Sequence, residues 1–331
     1  MTHTPEPYYA ADGVTLHLGD CLDVLPTLPD KSIDAIVTDP PYAVGYQGKT
    51  GTGSFMERTS GTARWDHVGG NHRAVNAIDA VRTRRVEALR FGDWCSQLAA
   101  ECLRILKPGG HLLAFGSPRT HHRLITAVED AGLEIRDTIH WIYTSGQPKG
   151  ANLPGGRATM LKPSHEPIVV ARATPLATVK ETVARHGTGG LAIDGCRTDS
   201  GGWPPNILLG HHCPPAECLR SCPVREMGHA TRTFPVFRVH SKAPASERIE
   251  VDGVRHDTPK PLGLMRWLVR LACPPGGTVL DFCAGSGTTL LAALDEGMSC
   301  IGIEKYEPHA RIAAVRLADR APTLLDLSEV S

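Results

Sequence analysis

The sequence predicts an α/β protein: a mostly parallel, doubly wound sheet interrupted by an insert. Three observations carry this expectation. Short β-rich runs alternate with helical stretches through the first 172 residues, regular texture lapses from about 173 to 252, and it returns after 260. VTLHL (14–18), IDAIVT (33–38), HLLAFG (111–116), IRDTIHWIY (135–143) and EPIVVA (166–171) read as strands, being short and rich in branched side chains. Phe91, Trp94, Leu98, Cys102 and Ile105 recur at helical spacing, and Lys107-Pro108-Gly109-Gly110 reads as the stop. A second helix carries Leu124, Ile125 and Val128 on one face and ends at Gly132. Late in the chain MRWLVRLA, TTLLAALDEG and PHARIAAVRLADR read as helices around the strands GTVLDF and SCIGIE. The expected organisation is one α/β domain over 1–172 and 253–331, with an insert at 173–252. Residues 45–72, rich in Gly and Thr and without a period, read as a mobile loop.

Composition narrows the classes. Lys+Arg and Asp+Glu balance at 35 each, so no global field draws the chain to a polyanion or a membrane surface. No stretch approaches the roughly 18–20 apolar residues of a membrane span, and MTHTPEPYYAADG lacks the regions of a signal peptide. The expected location is cytoplasmic. In a reducing compartment the 10 cysteines read as thiols or metal ligands in preference to bridges.

Two strand ends carry chemistry. In TVLDFCAGSGTTLLAALDEGMSCIGIE a strand ends at Asp281, Gly285 and Gly287 turn the chain, and a helix opens at Thr288. Glycines there let a ligand approach the backbone, and a helix N-terminus offers free N–H groups. Glu304, 23 residues beyond Asp281, closes the next strand about where an acid grips ribose hydroxyls in dinucleotide folds. A nucleoside cofactor is implied, although Leu290 replaces the third glycine of the dinucleotide fingerprint and no G-K-[ST] follows. An ordinary strand-to-helix turn is the alternative.

At the other strand end stands Asp39-Pro40-Pro41-Tyr42. An exocyclic base amine is a poor nucleophile because its lone pair is conjugated into the ring. A carboxylate accepting one N–H and a carbonyl accepting the other would favour a pyramidal nitrogen, with rigid prolines holding both acceptors. Tyr42 could stack on a base taken out of a duplex.

DPPY at 39–42, ILKPGGHLLAFGSPR at 105–119, HEPIVVA at 165–171, HDTPKPLGLMRWLV at 256–269 and DFCAGSGTT at 281–289 together resemble the amino-methyltransferases of DNA. Their order is similar to the beta-class arrangement. The resemblance implies a Rossmann-like, seven-stranded methyltransferase fold with circularly permuted motifs, S-adenosylmethionine as cofactor and double-stranded DNA as partner. It makes Asp39, Pro40, Pro41 and Tyr42 catalytic. It assigns Asp281, Phe282, Cys283, Ala284, Gly285, Ser286, Gly287, Thr288 and Glu304 to the cofactor, with His256, Lys260 and Pro261 at its methionine end. Asp20 resembles the family's acid near the adenine or target amine, a helix N-cap being the alternative. The run Phe282-Cys283 departs from the family's Pro-Phe and puts a small side chain at the customary aromatic position.

By the same likeness 173–252 is the target-recognition region. From Ala171 through Arg255, 11 Lys/Arg face 8 Asp/Glu, a weak footprint for DNA, although Arg220, Arg225, Arg232, Arg238, Lys242 and Arg248 cluster there. Cys213, Cys218 and Cys222 behind His211 and His212 suit a structural zinc, with His212 as the nitrogen ligand and Cys196 as an alternative fourth. Lys49, Arg58, Arg64 and Arg73 could close over a flipped base. The expected reaction is methyl transfer to adenine N6 in duplex DNA, because the family's cytosine members more often have serine where Asp39 stands. Cytosine N4, an RNA substrate, or a silent DNA-binding module are the alternatives. A cognate restriction enzyme and a homodimer are further partners the likeness admits and the residues do not specify.

Overall fold

The computed structural model describes residues 5–42, 77–143, 146, 152–211, 213, 222–238, 249–256 and 259–320. The first half contains β1 (Tyr9–Ala11), β2 (Val14–Leu18), α1 (Cys21–Val24), β3 (Ile33–Thr38), α2 (Ala77–Ile105), β4 (Leu106–Phe115), α3 (His121–Asp130), β5 (Glu134–Ile142), the small hairpin β6 (Asn152–Leu153) and β7 (Arg157–Ala158), and β8 (His165–Arg172). There follow α4 (Val179–His186), β9 (Ile207–His211), α5 (Pro223–Met227), β10 (Val236–Arg238) and the hairpin β11 (Glu250–Val251) and β12 (Val254–Arg255). The chain closes with α6 (Leu262–Ala272), β13 (Thr278–Asp281), α7 (Thr288–Asp295), β14 (Ser299–Glu304) and α8 (Glu307–Ala318).

Ten strands form one sheet in the order β1-β2-β14-β13-β3-β4-β8-β5-β9-β10. Seven of them, β2-β14-β13-β3-β4-β8-β5, make the expected core, in which only β8 runs against its neighbours. β1 adds antiparallel to one edge, and β9 and β10 prolong the other in parallel. Part of 173–252 thus continues the main sheet. Residues 45–72 lie outside the described residues.

The central strands β3, β4 and β8 are buried on both faces, which is why they read as largely apolar runs, whereas β5 at the edge of that group mixes exposed and covered residues. Leu113, Phe115, Ile168 and Val170 pack on the side of α6 and α7, while Leu112, Ala114, Val169 and Ala171 pack on the side of α2 and α3. The spacing expected of α2 holds, since Phe91, Trp94, Leu98, Cys102 and Ile105 are all buried. The helix ends at Ile105, just before Lys107-Pro108-Gly109-Gly110 as expected, but that run is already strand, since β4 begins at Leu106. Gly109 adopts φ 79°, and a Cβ there would lie 2.8 Å from the Cα of Gly189, so two backbones meet where only glycine fits.

The register between β3 and β4 shifts between Ile33 and Ala35. The displaced residue, Asp34, is buried and serves as a brace. Its carboxylate accepts from Lys107 Nζ at 2.7 and 2.8 Å and from the backbone N–H of Thr278, the first residue of β13, at 2.8 Å. One acid therefore ties three adjacent strands. Asp34→Ala leaves the Lys107 ammonium and the Thr278 N–H without this acceptor and is expected to cost about 3 kcal/mol in urea unfolding. Lys107→Met leaves the Thr278 bond intact but strands the buried Asp34 carboxylate without its cation, and is expected to cost about 3 kcal/mol as well. Equal stability of Asp34→Ala and wild type would remove the brace.

Candidate active site

The strands of the main sheet other than β1 and β8 run the same way, so β2, β14, β13, β3 and β4 deliver their carboxyl ends to one rim. Ligands of open α/β sheets bind at that rim, where the strand order reverses. Here the reversal falls between β13 and β3, and both sequence-predicted strand ends lie there. Thr38, the last residue of β3, donates its hydroxyl to Asp281 Oδ1 at 2.8 Å. Thr289 donates to Asp281 Oδ2 at 2.5 Å, and the Cys283 N–H donates to Oδ1 at 3.0 Å. Asp281 thus joins β3, its own turn and the first turn of α7. Burial pushes its carboxyl up to about 6, against the opposing pull of these three donors.

Immediately beyond Thr38, Asp39 sits in a charged network. Tyr42 donates its hydroxyl to Asp39 Oδ1 at 2.6 Å and lies 3.2 Å from Glu166 Oε2. Lys260 Nζ donates to Asp39 Oδ2 and lies 3.4 Å from Glu166 Oε2. The ammonium also stands over the Phe115 ring, 4.8 Å from its centroid, a cation–π contact. Tyr143 donates to Glu166 Oε1 at 3.5 Å. Thr120 fixes the turn from below by donating to the carbonyl of Tyr42 at 2.7 Å. Burial works against the charge on Lys260, but Asp39 and Glu166 outweigh it and hold the group protonated. Burial, then the same two carboxylates, pushes the Tyr42 phenol well above its ordinary range, so it acts as a hydrogen-bond donor. Glu166 is not among the site residues expected from sequence, although an acid at the head of the apolar run HEPIVVA is its visible signal.

The glycine turn is held from two sides. Gly285 and Gly287 have φ of 53° and 78°, values favouring glycine, and a Cβ on Gly285 would lie 2.9 Å from His256 Nε2. Glu304 Oε2 accepts the Gly285 N–H at 2.7 Å and Oε1 the Tyr306 N–H at 2.8 Å. From behind, the buried Arg316 donates to the Ser286 carbonyl at 2.6 Å and to the hydroxyls of Ser286 and Thr288 at 3.1 and 3.0 Å. Nothing in the sequence singles out Arg316, which reads as a helix residue within ARIAAVRLA. Ala284 donates to Ile303 and accepts from Gly287, closing the turn. The His256 ring packs on His309, centroids 4.5 Å apart, and burial, then Lys260 and Arg316, lowers its pKa to about 4. It is a neutral imidazole beside the turn.

Other expected residues take different places. Asp20 caps α1 by accepting the Leu22 N–H at 3.0 Å and pairs with Lys305 at 2.8 Å. Phe282 is buried and lines an apolar pocket with Pro40, Trp94 and Ala114, while Cys283 is partly exposed. Pro261 precedes α6 and Lys260 extends from its entry. His211, Cys213 and Cys222 converge at the end of β9, all three ligand atoms lying within 4.8 Å of one another. His212 and Cys218 lie outside the described residues, and Cys196 is buried in the core, its thiol 3.7 Å from the Trp267 carbonyl. Among the described residues no helix is long and apolar enough to cross a membrane.

The fold and the rim define an α/β protein with two coupled strand-end sites, one a carboxylate with an aromatic ring and the other a glycine turn with an acid. A family model described as DNA methylase, of the N6/N4 type, matches residues 33–315, and the chain belongs to that family. It is similar to the type II methyltransferase M.HindIII of Haemophilus influenzae, 24% identical over 91% of this chain and 94% of that protein. M.HinfI of Haemophilus influenzae is 25% identical over 96% of this chain and 72% of that protein. Among solved structures it is similar to the cytosine-N4-specific PvuII DNA methyltransferase, with TM-score 0.54, 17% identity, and 98% and 93% of the two chains covered. A putative DNA modification methylase from Thermus thermophilus, complexed with S-adenosyl-L-methionine, matches with TM-score 0.51, 20% identity, and 93% and 95% coverage.

Glu304 provides a titration that reports on the turn. Burial pushes its carboxyl up to about 7, against the backbone N–H groups that favour the charged form. A raised acid pKa adds stability that is full below the unfolded value of roughly 4.3 and is lost as pH rises through the folded one. Relative to Glu304→Gln, wild type is therefore expected to lose stability between about pH 4.5 and 7.5. Denaturant unfolding of both proteins across that window checks this. Parallel pH curves would sink it.

Proposed function

We propose that this DNA methylase is a site-specific methyltransferase that uses S-adenosylmethionine and acts on the N6 amine of adenine in duplex DNA. The observation that carries the reading is the direct link between the two strand ends, Thr38 to Asp281 to Thr289, which keeps Asp39 beside the glycine turn. When bound, S-adenosylmethionine supplies a methyl group on a positively charged sulfur. The residues present fit that group: the positive-φ glycines leave the backbone approachable, Glu304 stands at the next strand end, and neutral His256 adds no charge to repel a sulfonium. In this assignment Gly285, Gly287 and Glu304 hold the nucleoside part and His256 lies toward the methionine part.

Asp39 orients the target amine by accepting one N–H, and the backbone after it accepts the other. Its oxygens now face Tyr42 and Lys260, and the second carboxylate is what makes exchange feasible. As the amine takes one oxygen of Asp39, Lys260 keeps Glu166 as a partner, so no buried cation is stranded. Lys260 is held protonated and is a poor base, which leaves Asp39 as the acceptor for the proton shed once nitrogen has gained its fourth bond. Tyr42 offers its ring to an extruded base while its hydroxyl anchors the carboxylate. Adenine is favoured over cytosine by the carboxylate at 39.

Mass spectrometry of nucleosides from duplex DNA incubated with the full chain and S-adenosylmethionine is expected to give N6-methyladenine. N4-methylcytosine would move the assignment to cytosine, and methyl transfer to RNA alone would overturn it. Asp39→Ala is expected to lower kcat by roughly 10²–10⁴-fold with cofactor affinity in calorimetry unchanged. Tyr42→Phe keeps the ring and loses a neutral hydroxyl, for a drop of about 10-fold. Undiminished transfer by Asp39→Ala would refute the mechanism.

A further inference from the structure

We propose that His211, Cys213 and Cys222 form a structural zinc site that pins the far edge of the sheet. His211 is the last residue of β9, where it pairs with Arg238 of β10. Cys213 lies two residues on, and Cys222 is the residue from which α5 starts. The two cysteines are 2% and 4% exposed. Cys222 Sγ lies 4.0 Å from His211 Nδ1, and the three ligand atoms fall within 4.8 Å of one another. Tetrahedral zinc, with bonds of about 2.3 Å to sulfur and 2.0–2.1 Å to nitrogen, sets its ligand atoms roughly 3.4–3.8 Å apart. A contraction of about an ångström or less brings this trio to that geometry.

The donor set selects the metal. Two thiolates cancel the charge of a divalent ion, and thiolate with imidazole suits zinc and excludes magnesium or calcium, which take oxygen. The local fold gives the metal a reason to be there. From Val224 to Thr233 every residue is exposed or half-buried, so α5 and the 3₁₀ turn after it have no core of their own. A segment that cannot bury enough apolar surface gains its order from a metal instead. The staple would also bear on the catalytic rim. β10 carries Phe237, whose ring meets Trp267 of α6 edge to face at 6.0 Å, and α6 is the helix entered from Lys260. The site holds the sheet edge against that helix without supplying any atom to the reaction.

The full chain, purified without a metal-binding tag, is expected to carry ~1 zinc per molecule by elemental analysis. Cobalt-exchanged protein is expected to show the thiolate-to-cobalt charge-transfer band and the intense visible bands of a tetrahedral site. Cys222→Ser and His211→Ala are expected to lose the metal, while Cys196→Ser, at a buried thiol outside the trio, keeps it. If the variants fail to fold, the wild-type cobalt spectrum decides. Protein free of metal after zinc loading, retention of zinc by both Cys222→Ser and His211→Ala, or a Cys213–Cys222 disulfide in peptide mapping would overturn the proposal.

Discussion

The site depends on one buried carboxylate. Asp281 lies beneath the rim with both oxygens engaged, by Thr38 on one side and by Thr289 and its own turn on the other. Desolvating an acid costs several kcal/mol unless donors replace the lost water, and here three donors do so. The consequence is positional: Thr38 immediately precedes Asp39, so the same group that shapes the glycine turn also sets where the DPPY carboxylate begins. Asp281 therefore acts on both strand ends through the backbone it holds. Arg316 completes the arrangement from behind by taking up the Ser286 carbonyl.

A second constraint is electrostatic. Asp39, Glu166 and Lys260 put two negative charges and one positive charge in a largely buried space, with Tyr42 and Tyr143 supplying neutral donors. Removing one acid from such a set would leave the lysine fully committed to the other. With both present, the proposed mechanism lets Asp39 exchange a protein partner for a substrate N–H while the cation stays compensated. This explains why an acid stands at the head of β8, a strand otherwise buried on both faces. The reversed direction of β8 is what brings its amino end, and with it Glu166, to the carboxyl rim of its neighbours.

Legibility in the sequence follows the physical range of each signal. Strands β2, β3 and β14 are readable to their observed ends because each is a short, mostly buried run rich in branched side chains. The start of β4 is misleading, since Pro108, Gly109 and Gly110 normally punctuate a chain; the two glycines are needed there because Gly109 packs on Gly189 and Gly110 on the Asp34 carbonyl. Asp39, Tyr42, Lys260 and the glycines are visible as local motifs. Glu166 shows only as an acid heading an apolar run and Arg316 not at all, because their partners lie 124 and about 30 residues away and no spacing rule connects them. Asp20 reads equally as a functional acid or a cap from sequence; the bond to Leu22 shows the cap. His211 ends β9 close to Cys213 and Cys222, while His212 lies outside the described residues.

The order of motifs along the chain carries little weight once the sheet is formed. β3 and β13 are adjacent strands separated by most of the sequence, and Thr38 meets Asp281 across 243 residues. A parallel sheet is indifferent to whether its neighbour was made early or late, provided each connection returns across a face. Permuted motifs can therefore build a rim whose chemistry depends only on which strand ends adjoin. The same logic locates tolerance for extra sequence: strands added beyond β5 extend the edge without entering the β13–β3 junction. That edge can change while the carboxylate, the lysine and the glycine turn keep their mutual positions.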